Sequence, residues 1–436
     1  MPVPTPRLAV LAAALSAVVL FLPLGLPGSL VLVDGALLAV AAVDWWRAPR
    51  PEHLEVERDA PSALALGGEG EVRWRVRNPT RRRLVVGLAD ELAPSLGARR
   101  RARLVVPGRG AGRASTPLRP SRRGRFELGG VTLRVEGPMG LAARQGTVAL
   151  SAVLRVAPAF RSRDEAELRL RRARLLDVGL RSAAGRGGGT EFDSLRSYTP
   201  DDETRRIDWA ATARSGTGEP VVRTYRAERN QSVVCLLDLG RTMAARVGGV
   251  PRVEHAMDAV LALTTVCTGL GDRAGLLAFS SDIRAVVAPT AGGRRVARVA
   301  EVLATLEPEL VESDYRGAFL ETLARFRRRA LLVLLTELAE QALTDTLLPA
   351  LPLLVRDHVV VVAGVTDPDV AWWARGRPAD AGTAYRKAAA LAALEERARV
   401  VARLRGLGAT VVDEPPGRLS SALADAYLRV KATGRL

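Results

Sequence analysis

Acidic and arginine side chains are concentrated in one stretch, Gly187–Asn230, which reads GGGTEFDSLRSYTPDDETRRIDWAATARSGTGEPVVRTYRAERN. Acids and arginines occur there in nearly equal numbers, and this balance favours ion pairs within a folded segment over an open charged tail. Asp201, Asp202 and Asp208 could act as paired carboxylates in acid–base catalysis, but the neighbouring arginines would keep them ionised and unsuited to general-acid work. A structural or docking role is therefore favoured over catalysis.

The string EFDSLRSYTPDDETRRIDWAATAR within this stretch resembles the signature of the bacterial "domain of unknown function 58" family, G-x-E-F-x-x-L-R-x-Y-x-x-G-D-x-x-R-x-I-D-W-x-x-x-A-R. The candidate functional residues on this pattern are Glu191, Arg196, Tyr198, Asp202, Arg205, Asp208, Trp209 and Arg214. Bidentate arginine–carboxylate pairs fix geometry well. We therefore expect Asp208, Arg205 and Arg214 to form ion pairs around Trp209 that clamp the segment onto the following domain. A docking surface for a partner protein is the alternative.

A second polar cluster, Asp238-Leu239-Gly240-Arg241-Thr242, closes the apolar strand SVVCLLDLG. Ligands of doubly wound sheets bind at the carboxyl ends of the strands. The cluster resembles the D-x-S-x-S opening of a von Willebrand factor A domain, in which a carboxylate and hydroxyls bind a divalent cation. The resemblance implies a Mg²⁺ or Mn²⁺ site, with the candidate ligands Asp238, Thr242, Ser313, Asp314 and Glu337.

Two departures weaken this cation site. Gly240 lacks an expected hydroxyl, and Glu337 replaces the usual aspartate with a longer side chain. With fewer protein ligands, Mg²⁺ would have to keep additional waters. The alternative is a degenerate site in which Asp238 bonds locally. Neither alternative supplies a nucleophile, a general base or an oxyanion hole.

Residues 231–436 alternate between apolar strands and helices. The predicted strands are SVVCLLDLG, AGLLAFS, IRAVVAP, ALLVLLTEL, HVVVVAGVTD and ATVVDEP. The predicted helices are Glu254–Leu270, Arg295–Leu306, Gly317–Arg329, Thr344–Val355, Ala384–Leu407 and Leu419–Val430. Continuous apolar strands between helices are typical of a parallel doubly wound sheet. We predict an α/β domain of the von Willebrand factor A type, preceded by a linker and signature segment at residues 161–230.

Short alternating runs separated by Gly, Pro and Asn occupy residues 51–160. In EVRWRVRN, the apolar residues Val72, Trp74 and Val76 alternate with arginines, which is typical of a strand with one buried face. An Ig-like β-sandwich is predicted. The turn EGPMGL resembles the family's D-P-F-G-L, with Met139 expected to be an apolar plug.

Basic clusters lie in predicted turns of this domain, and each is expected to contact anionic lipid. The clusters are Arg81–Arg83, Arg99–Arg103 and Arg119–Arg125.

Two apolar stretches, Leu8–Leu22 and Leu30–Trp46, are separated by helix breakers in Pro23–Gly28. Each approaches the length that crosses a bilayer, so residues 1–50 are predicted to form a transmembrane helical hairpin. Asp34 is expected near its loop. Arginines flank the hairpin but are absent from the loop, and the positive-inside rule therefore places both termini and the later domains on the cytoplasmic side of the inner membrane.

The composition excludes other classes of function. A net charge of +17 suggests nucleic-acid binding, but aromatic residues make up only 4% of the chain and no helix-turn-helix, RNP or zinc-finger spacing occurs, so nucleic acid is not expected as a partner. Cys235 and Cys267 lie in apolar runs and are expected to be buried free thiols. The three histidines are isolated from other potential metal ligands, which makes a zinc site improbable.

These features predict a membrane-anchored cytoplasmic adaptor without enzymatic activity. The family resemblance implies a MoxR-type AAA+ ATPase as its partner in complex assembly or maturation. The alternative is a metal-dependent hydrolase or a nucleic-acid-binding protein that uses Asp238, Thr242 and Glu337.

Overall fold

The computed structural model describes residues 1–19, 25–183, 191–200, 202–216, 219–226, 231–339 and 343–433. It is a mixed α/β structure that divides into two compact units, Met1–Ala159 and Phe160–Leu436. Each unit has its own apolar core.

The first unit begins with β1 (Pro2–Pro4), α1 (Pro6–Val19) and α2 (Gly25–Arg47). Within the described residues, α2 is the one helix long and apolar enough to cross a membrane; such a helix near the N-terminus could be an anchor or a signal sequence. As described, α1 has 14 residues, fewer than the roughly 17 that a span requires. Of the two predicted spans, one is therefore supported, and residues 20–24 of the predicted hairpin lie outside the described residues. The expected position of Asp34 near a loop is wrong, because Asp34 lies well inside α2.

The remaining strands of the first unit form what we call the β domain. They are β2 (Glu55–Asp59), β3 (Ala63–Ala65), β4 (Gly70–Arg77), β5 (Leu84–Asp90), β6 (Arg101–Val106), β7 (Ala111–Leu118), β8 (Gly124–Leu128), β9 (Val131–Glu136), β10 (Ala142–Val148) and β11 (Ala152–Ala157). They form sheets in the orders β1-β10-β9-β5-β6, β2-β4-β7 and β3-β11-β8. The predicted alternation in β4 is confirmed, because Val72, Trp74 and Val76 are buried while the arginines between them are exposed.

The second unit contains further helices and strands. The helices are α3 (Arg163–Ala183), α4 (Trp209–Ser215), α5 (Arg241–Ala244), α6 (Arg252–Gly269), α7 (Arg295–Thr305), α8 (Tyr315–Arg325), α9 (Leu347–Val355), α10 (Pro368–Arg375), α11 (Ala381–Gly406) and α12 (Pro416–Ala432). The strands are β12 (Glu191–Ser197), β13 (Val221–Arg226), β14 (Ser232–Asp238), β15 (Arg246–Val247), β16 (Val250–Pro251), β17 (Arg273–Phe279), β18 (Ile283–Thr290), β19 (Leu331–Leu335), β20 (Val359–Val365) and β21 (Thr410–Glu414).

A six-stranded sheet in the order β18-β17-β14-β19-β20-β21 organises this unit. Its neighbouring strands are parallel except for β17 and β18, which are antiparallel. Alternate residues of β14 enter opposite cores: Val233 and Cys235 pack with residues of α6 and α12, while Val234 and Leu236 pack with residues of α8 and α9. The predicted alternation of strands and helices is thus confirmed, whereas the short helices α5 and α10 were not predicted.

Both cysteines are buried free thiols, as predicted. Burial raises the pKa of the Cys235 thiol to about 12 and that of the Cys267 thiol well above its ordinary range. Neither thiol is therefore a ready nucleophile.

Candidate functional site

The change of direction in the sheet brings polar side chains together at its carboxyl edge. From β14 the chain proceeds to β17 and β18 on one side, and then returns to β19 on the other side of β14. Crevices form at the carboxyl ends of strands where such a switch occurs. Asp238 is the last residue of β14, and Thr336 directly follows β19.

The carboxylate of Asp238 is fully buried and accepts four hydrogen bonds. Its Oδ1 accepts from the Gly240 backbone N–H at 2.8 Å and from the Ser313 hydroxyl at 2.5 Å. Its Oδ2 accepts from the Tyr315 and Thr336 hydroxyls at 2.8 and 2.6 Å. Burial, and then the neighbouring Asp238 charge, raise the pKa of Tyr315 well above its ordinary value, so its phenol stays protonated. The surrounding donors, rather than a cationic side chain, thus stabilise the buried charge.

Gly240 allows the Ser313 hydroxyl to approach this closely. A Cβ atom built on Gly240 would lie 2.0 Å from Ser313 Oγ and 3.2 Å from Asp238 Oδ1. The Ser313 hydroxyl therefore occupies the space that a side chain at position 240 would need. This explains in steric terms why the hydroxyl expected at position 240 is replaced by one from a distant loop.

The other candidate cation ligands have different surroundings. Asp314 is exposed and caps α8 by accepting from the Gly317 backbone N–H at 2.9 Å. Thr242 lies in the short helix α5 and is not among the four donors to Asp238. Of the five predicted ligands, the structure brings Asp238 and Ser313 into direct contact.

Glu337 is held by two arginines from helices distant in sequence. Arg397 of α11 donates to its Oε1 at 2.7 Å, and Arg252 Nε lies 2.9 Å from its Oε2 as an ion pair without hydrogen-bond alignment. Arg397 also bonds both carboxylate oxygens of Asp413, at 2.7 and 2.8 Å. Burial lowers the pKa of Arg397, but the bonds to Asp413 and the charge of Glu337 outweigh it and raise that pKa overall. A cation at Glu337 would therefore have to compete with two guanidinium groups.

No group of three or more His, Cys, Asp or Glu side chains among the described residues is arranged to hold a metal ion. The set around Asp238 consists mainly of hydroxyls, which suit Mg²⁺ only together with carboxylates and water. Binding of Mg²⁺ or Mn²⁺ stays a prediction.

The signature segment, residues 191–226, folds as a small two-stranded sheet. Strand β12 pairs with β13 in antiparallel register, from Glu191 opposite Arg226 to Ser197 opposite Val221. The half-buried Tyr198 continues the pairing, because its backbone N–H donates to the Pro220 carbonyl at 2.8 Å. The side chain of Glu191 lies outside the described part of the structure.

Arg196 and Asp202 fix the turn that follows β12. The guanidinium makes a bidentate contact with the carboxylate at 2.8 and 2.5 Å, and Thr199 donates to the same carboxylate through its backbone N–H and its hydroxyl. These bonds, with that from Arg196 the largest, lower the pKa of Asp202 far below its usual range. Asp202 is thus an ionised structural acceptor rather than a proton donor.

Asp208 performs two structural tasks. It caps α4 by accepting from the backbone N–H groups of Ala210 and Ala211 at 3.1 and 3.0 Å, and it accepts from Arg223 Nε at 2.8 Å. The hydrogen bond from Arg223, followed by that from Ala211, lowers the pKa of Asp208. Arg223 was not among the predicted partners, because a contact between β13 and the start of α4 depends on the hairpin fold.

The expected set of ion pairs around Trp209 differs from the observed one. Arg205 pairs with Glu203, two residues earlier, at 2.7 Å, and Arg214 donates to the Ala210 carbonyl at 3.0 Å. The Trp209 side chain is 68% exposed. The charged residues therefore shape the segment locally and leave the indole on its surface.

We expect Asp202→Asn to loosen this turn at neutral pH, measured as faster amide hydrogen exchange at Thr199. Because the pKa of Asp202 is lowered in the folded state, its stabilising effect is present above the ordinary aspartate pKa of about 4 and is lost only as the pH falls through the lower folded value. Wild type and variant should therefore differ at pH 7 and converge in strong acid. Glu203→Gln, at an exposed pair, is the control and should leave Thr199 unchanged; equal exchange in wild type and Asp202→Asn would contradict the prediction.

One family model matches part of the chain. Residues 194–371 match the family model "Protein of unknown function DUF58". The resemblance predicted from the signature is thus confirmed over a range that begins in β12 and ends in α10, and that includes Asp238 and Glu337.

Related sequences carry no described activity. The uncharacterized proteins Rv1480 of Mycobacterium tuberculosis and Mb1516 of Mycobacterium bovis are each 28% identical over 153 residues, which cover 35% of this chain. The chain spans 48% of the length of each of these relatives.

Two solved structures show distant similarity to parts of this chain. The CARDB domain of a Pyrococcus furiosus protein aligns with 26% of this chain and 90% of its own length, at 11% identity and a TM-score of 0.17. A Porphyromonas gingivalis protein of unknown function aligns with 24% of this chain and 47% of its own length, at 22% identity and a TM-score of 0.18. At TM-scores this low, neither similarity informs the fold of this chain.

Proposed function

We propose that this chain is a membrane-anchored adaptor at the cytoplasmic face of the inner membrane, and that its partner is a MoxR-type AAA+ ATPase. In this proposal α1 and α2 form the anchor, and the β domain is an Ig-like sandwich. Residues 231–436 form a von Willebrand factor A-like domain, and the signature segment carries the docking surface for the partner.

The exposure of Trp209 carries this proposal. Its side chain is 68% exposed, although burying a large apolar side chain gains roughly 2–3 kcal/mol. Tryptophan is enriched at the centres of protein interfaces. The nearby pairs of Arg196 with Asp202 and of Arg223 with Asp208 are local, so they hold the surface in shape and leave the indole available to a partner.

The surroundings of Asp238 also favour an adaptor over a hydrolase. A general base needs a carboxylate that can accept a proton from substrate or water. Both oxygens of Asp238 already accept two protein hydrogen bonds each, and its full burial keeps it from solvent. The carboxylate of Glu337 forms ion pairs with Arg252 and Arg397, which compensate its negative charge.

The test is capture of a separately purified MoxR-type ATPase from the same organism by the full-length protein in detergent. We expect Trp209→Ala to weaken capture by more than roughly tenfold, as for an aromatic residue at the centre of an interface. Trp372→Ala is the matched control, because Trp372 is 70% exposed and lies outside the signature segment. Equal capture by both variants would show that the signature does not dock this partner, and absence of capture by wild type would remove the ATPase from the proposal.

A further inference from the structure

The base of the α1–α2 pair is joined to the β domain through the carboxylate of Asp44. This side chain is 1% exposed and accepts from the backbone N–H groups of Met139, Leu141 and Ala142 at 2.7, 2.7 and 3.0 Å. A Cβ atom on Gly137 would lie 2.5 Å from Asp44 Cγ, so the turn can close around the carboxylate only with glycine there. Met139, expected to be an apolar plug, is 58% exposed; that expectation is wrong, and the turn instead binds a carboxylate.

Other contacts hold the same junction. β1 pairs with β10, and the Thr5 hydroxyl at the start of α1 donates to the Gly140 carbonyl at 2.6 Å. The Arg144 guanidinium lies 4.7 Å from the centre of the Trp45 ring, and its Nε donates to the Trp45 carbonyl at 3.0 Å. The start of α1 and the end of α2 are therefore both attached to one edge of the β domain, which we call the anchor edge.

Strand registers show which basic cluster lies at the anchor edge. Val86 of β5 lies opposite Val135 of the antiparallel β9, and continuing this register places Arg83 level with Pro138, in the turn that holds Asp44. The cluster Arg81–Arg83 is therefore at the anchor edge. At the other end of β5, Ala89 pairs with Arg101, so the cluster that begins at Arg99 lies at the opposite edge.

The apolar surface of α2 ends at the anchor edge. Val31, Leu38 and Val43 are 74, 64 and 46% exposed. From Gly25 to Val43 the helix is roughly 28 Å long, close to the roughly 30 Å of a bilayer's hydrocarbon core. Trp46, which is 72% exposed, then lies at the depth where tryptophans gather in membranes.

Exposed arginines from three parts of the chain lie at this level, and we call the following six the anchor-edge arginines. They are Arg7, Arg47, Arg50, Arg81, Arg82 and Arg83. Guanidinium groups bind phosphate through paired hydrogen bonds, and basic residues near an anionic leaflet are attracted to its surface.

We propose that the anchor-edge arginines bind the phosphate groups of anionic phospholipids, so that the anchor edge of the β domain lies against the headgroup layer. This rests on the proposed membrane anchoring. The sequence predicted that each basic cluster of this domain contacts lipid. In this proposal Arg81–Arg83 binds lipid and the cluster that begins at Arg99 does not. The attachment through Asp44 matters because it fixes these arginines, which come from separate parts of the chain, at one depth.

The experiment uses the full-length protein in detergent, titrated with phosphatidylglycerol or phosphatidylcholine, with bound lipid counted by native mass spectrometry. We expect wild type to retain phosphatidylglycerol preferentially, and the variant R81Q/R82Q/R83Q to lose this preference by roughly fivefold per arginine at low salt. The matched control R99Q/R100Q/R101Q removes three exposed arginines from the opposite edge and should behave as wild type. Circular dichroism of both triple variants reports whether the fold is retained.

Three outcomes would overturn the proposal: equal retention of both lipids by wild type, equal loss in the two triple variants, or binding of a short DNA duplex that competes with phosphatidylglycerol at the same arginines. Alkaline extraction of membranes separates this proposal from the anchor itself. If the wild-type protein remains in the membrane but shows no lipid preference, only the role of the arginines is overturned. If the wild-type protein is extracted, the membrane anchoring is overturned as well.

Discussion

Replacing Asp238 with alanine is expected to destabilise the six-stranded sheet by about 3–5 kcal/mol. Four donors would lose their acceptor: the buried groups of Gly240, Tyr315 and Thr336, and the part-buried hydroxyl of Ser313. The loss is smaller than four separate penalties, because the Tyr315 and Thr336 hydroxyls lie 2.8 Å apart and can bond each other. The measurement is amide hydrogen exchange of peptides from β14 and β19 in the full-length protein, where exchange should accelerate.

Asp314→Ala is the matched control for this prediction. Asp314 lies on the same loop as Ser313 but is exposed and caps α8, so its loss should cost only about 1 kcal/mol and should affect α8 rather than β14. Unchanged exchange of β14 in Asp238→Ala would mean that the four hydrogen bonds do not stabilise the edge of the sheet.

Asp238 also decides whether a divalent cation can bind at the predicted cation site. A divalent ion at Asp238 would have to replace hydrogen bonds from Ser313 or Thr336, and Glu337 would have to leave its arginines. Titration of Mn²⁺ into the full-length protein by calorimetry should therefore show at most weak binding, with a dissociation constant of about 1 mM or higher. Tight stoichiometric binding that Asp238→Asn abolishes would contradict this and restore the cation site.

The sequence predicted the strands and helices of the second unit well because their signals are local. Continuous apolar runs such as SVVCLLDLG and ALLVLLTEL contain β14 and β19, which are Ser232–Asp238 and Leu331–Leu335. Asp238 could be selected as a site residue because it ends an apolar strand of the predicted parallel sheet, whereas the switch in strand order at this point is seen only in the structure. The short helix α10 was missed because its eight residues are too few to show a helical period.

The partners of the site residues could not be predicted in the same way. Arg252 and Arg397 form ion pairs with Glu337 from helices that are far from it in sequence. Local sequence patterns cannot predict contacts between such distant residues. Tyr315 was likewise missed, although it is the first residue of α8 and lies two positions after Ser313. Charge balance in the signature segment indicated pairing correctly, but the pairing of Asp208 with Arg223 depends on the register of β12 and β13.

Asp44→Ala is expected to loosen the junction between the anchor and the β domain. The backbone N–H groups of Met139, Leu141 and Ala142 would lose their acceptor, and each buried unsatisfied donor costs roughly 1–3 kcal/mol. The turn should open to relieve this cost, which would be measured as faster hydrogen exchange in residues 137–146 of the full-length protein. Asp34→Ala, an exposed aspartate within the same helix, should leave that exchange unchanged.

Gly137→Ala tests the same junction from the β domain. Its Cβ would clash with the Asp44 carboxylate, so this variant should open the turn without altering the charge of the anchor. If both variants stay in the membrane but lose the preference for phosphatidylglycerol, the arginines act only when the Asp44 junction holds them at one depth. If both variants open the turn and keep the preference, Arg7, Arg47 and Arg50 bind lipid independently of the β domain, and the junction serves only to orient that domain.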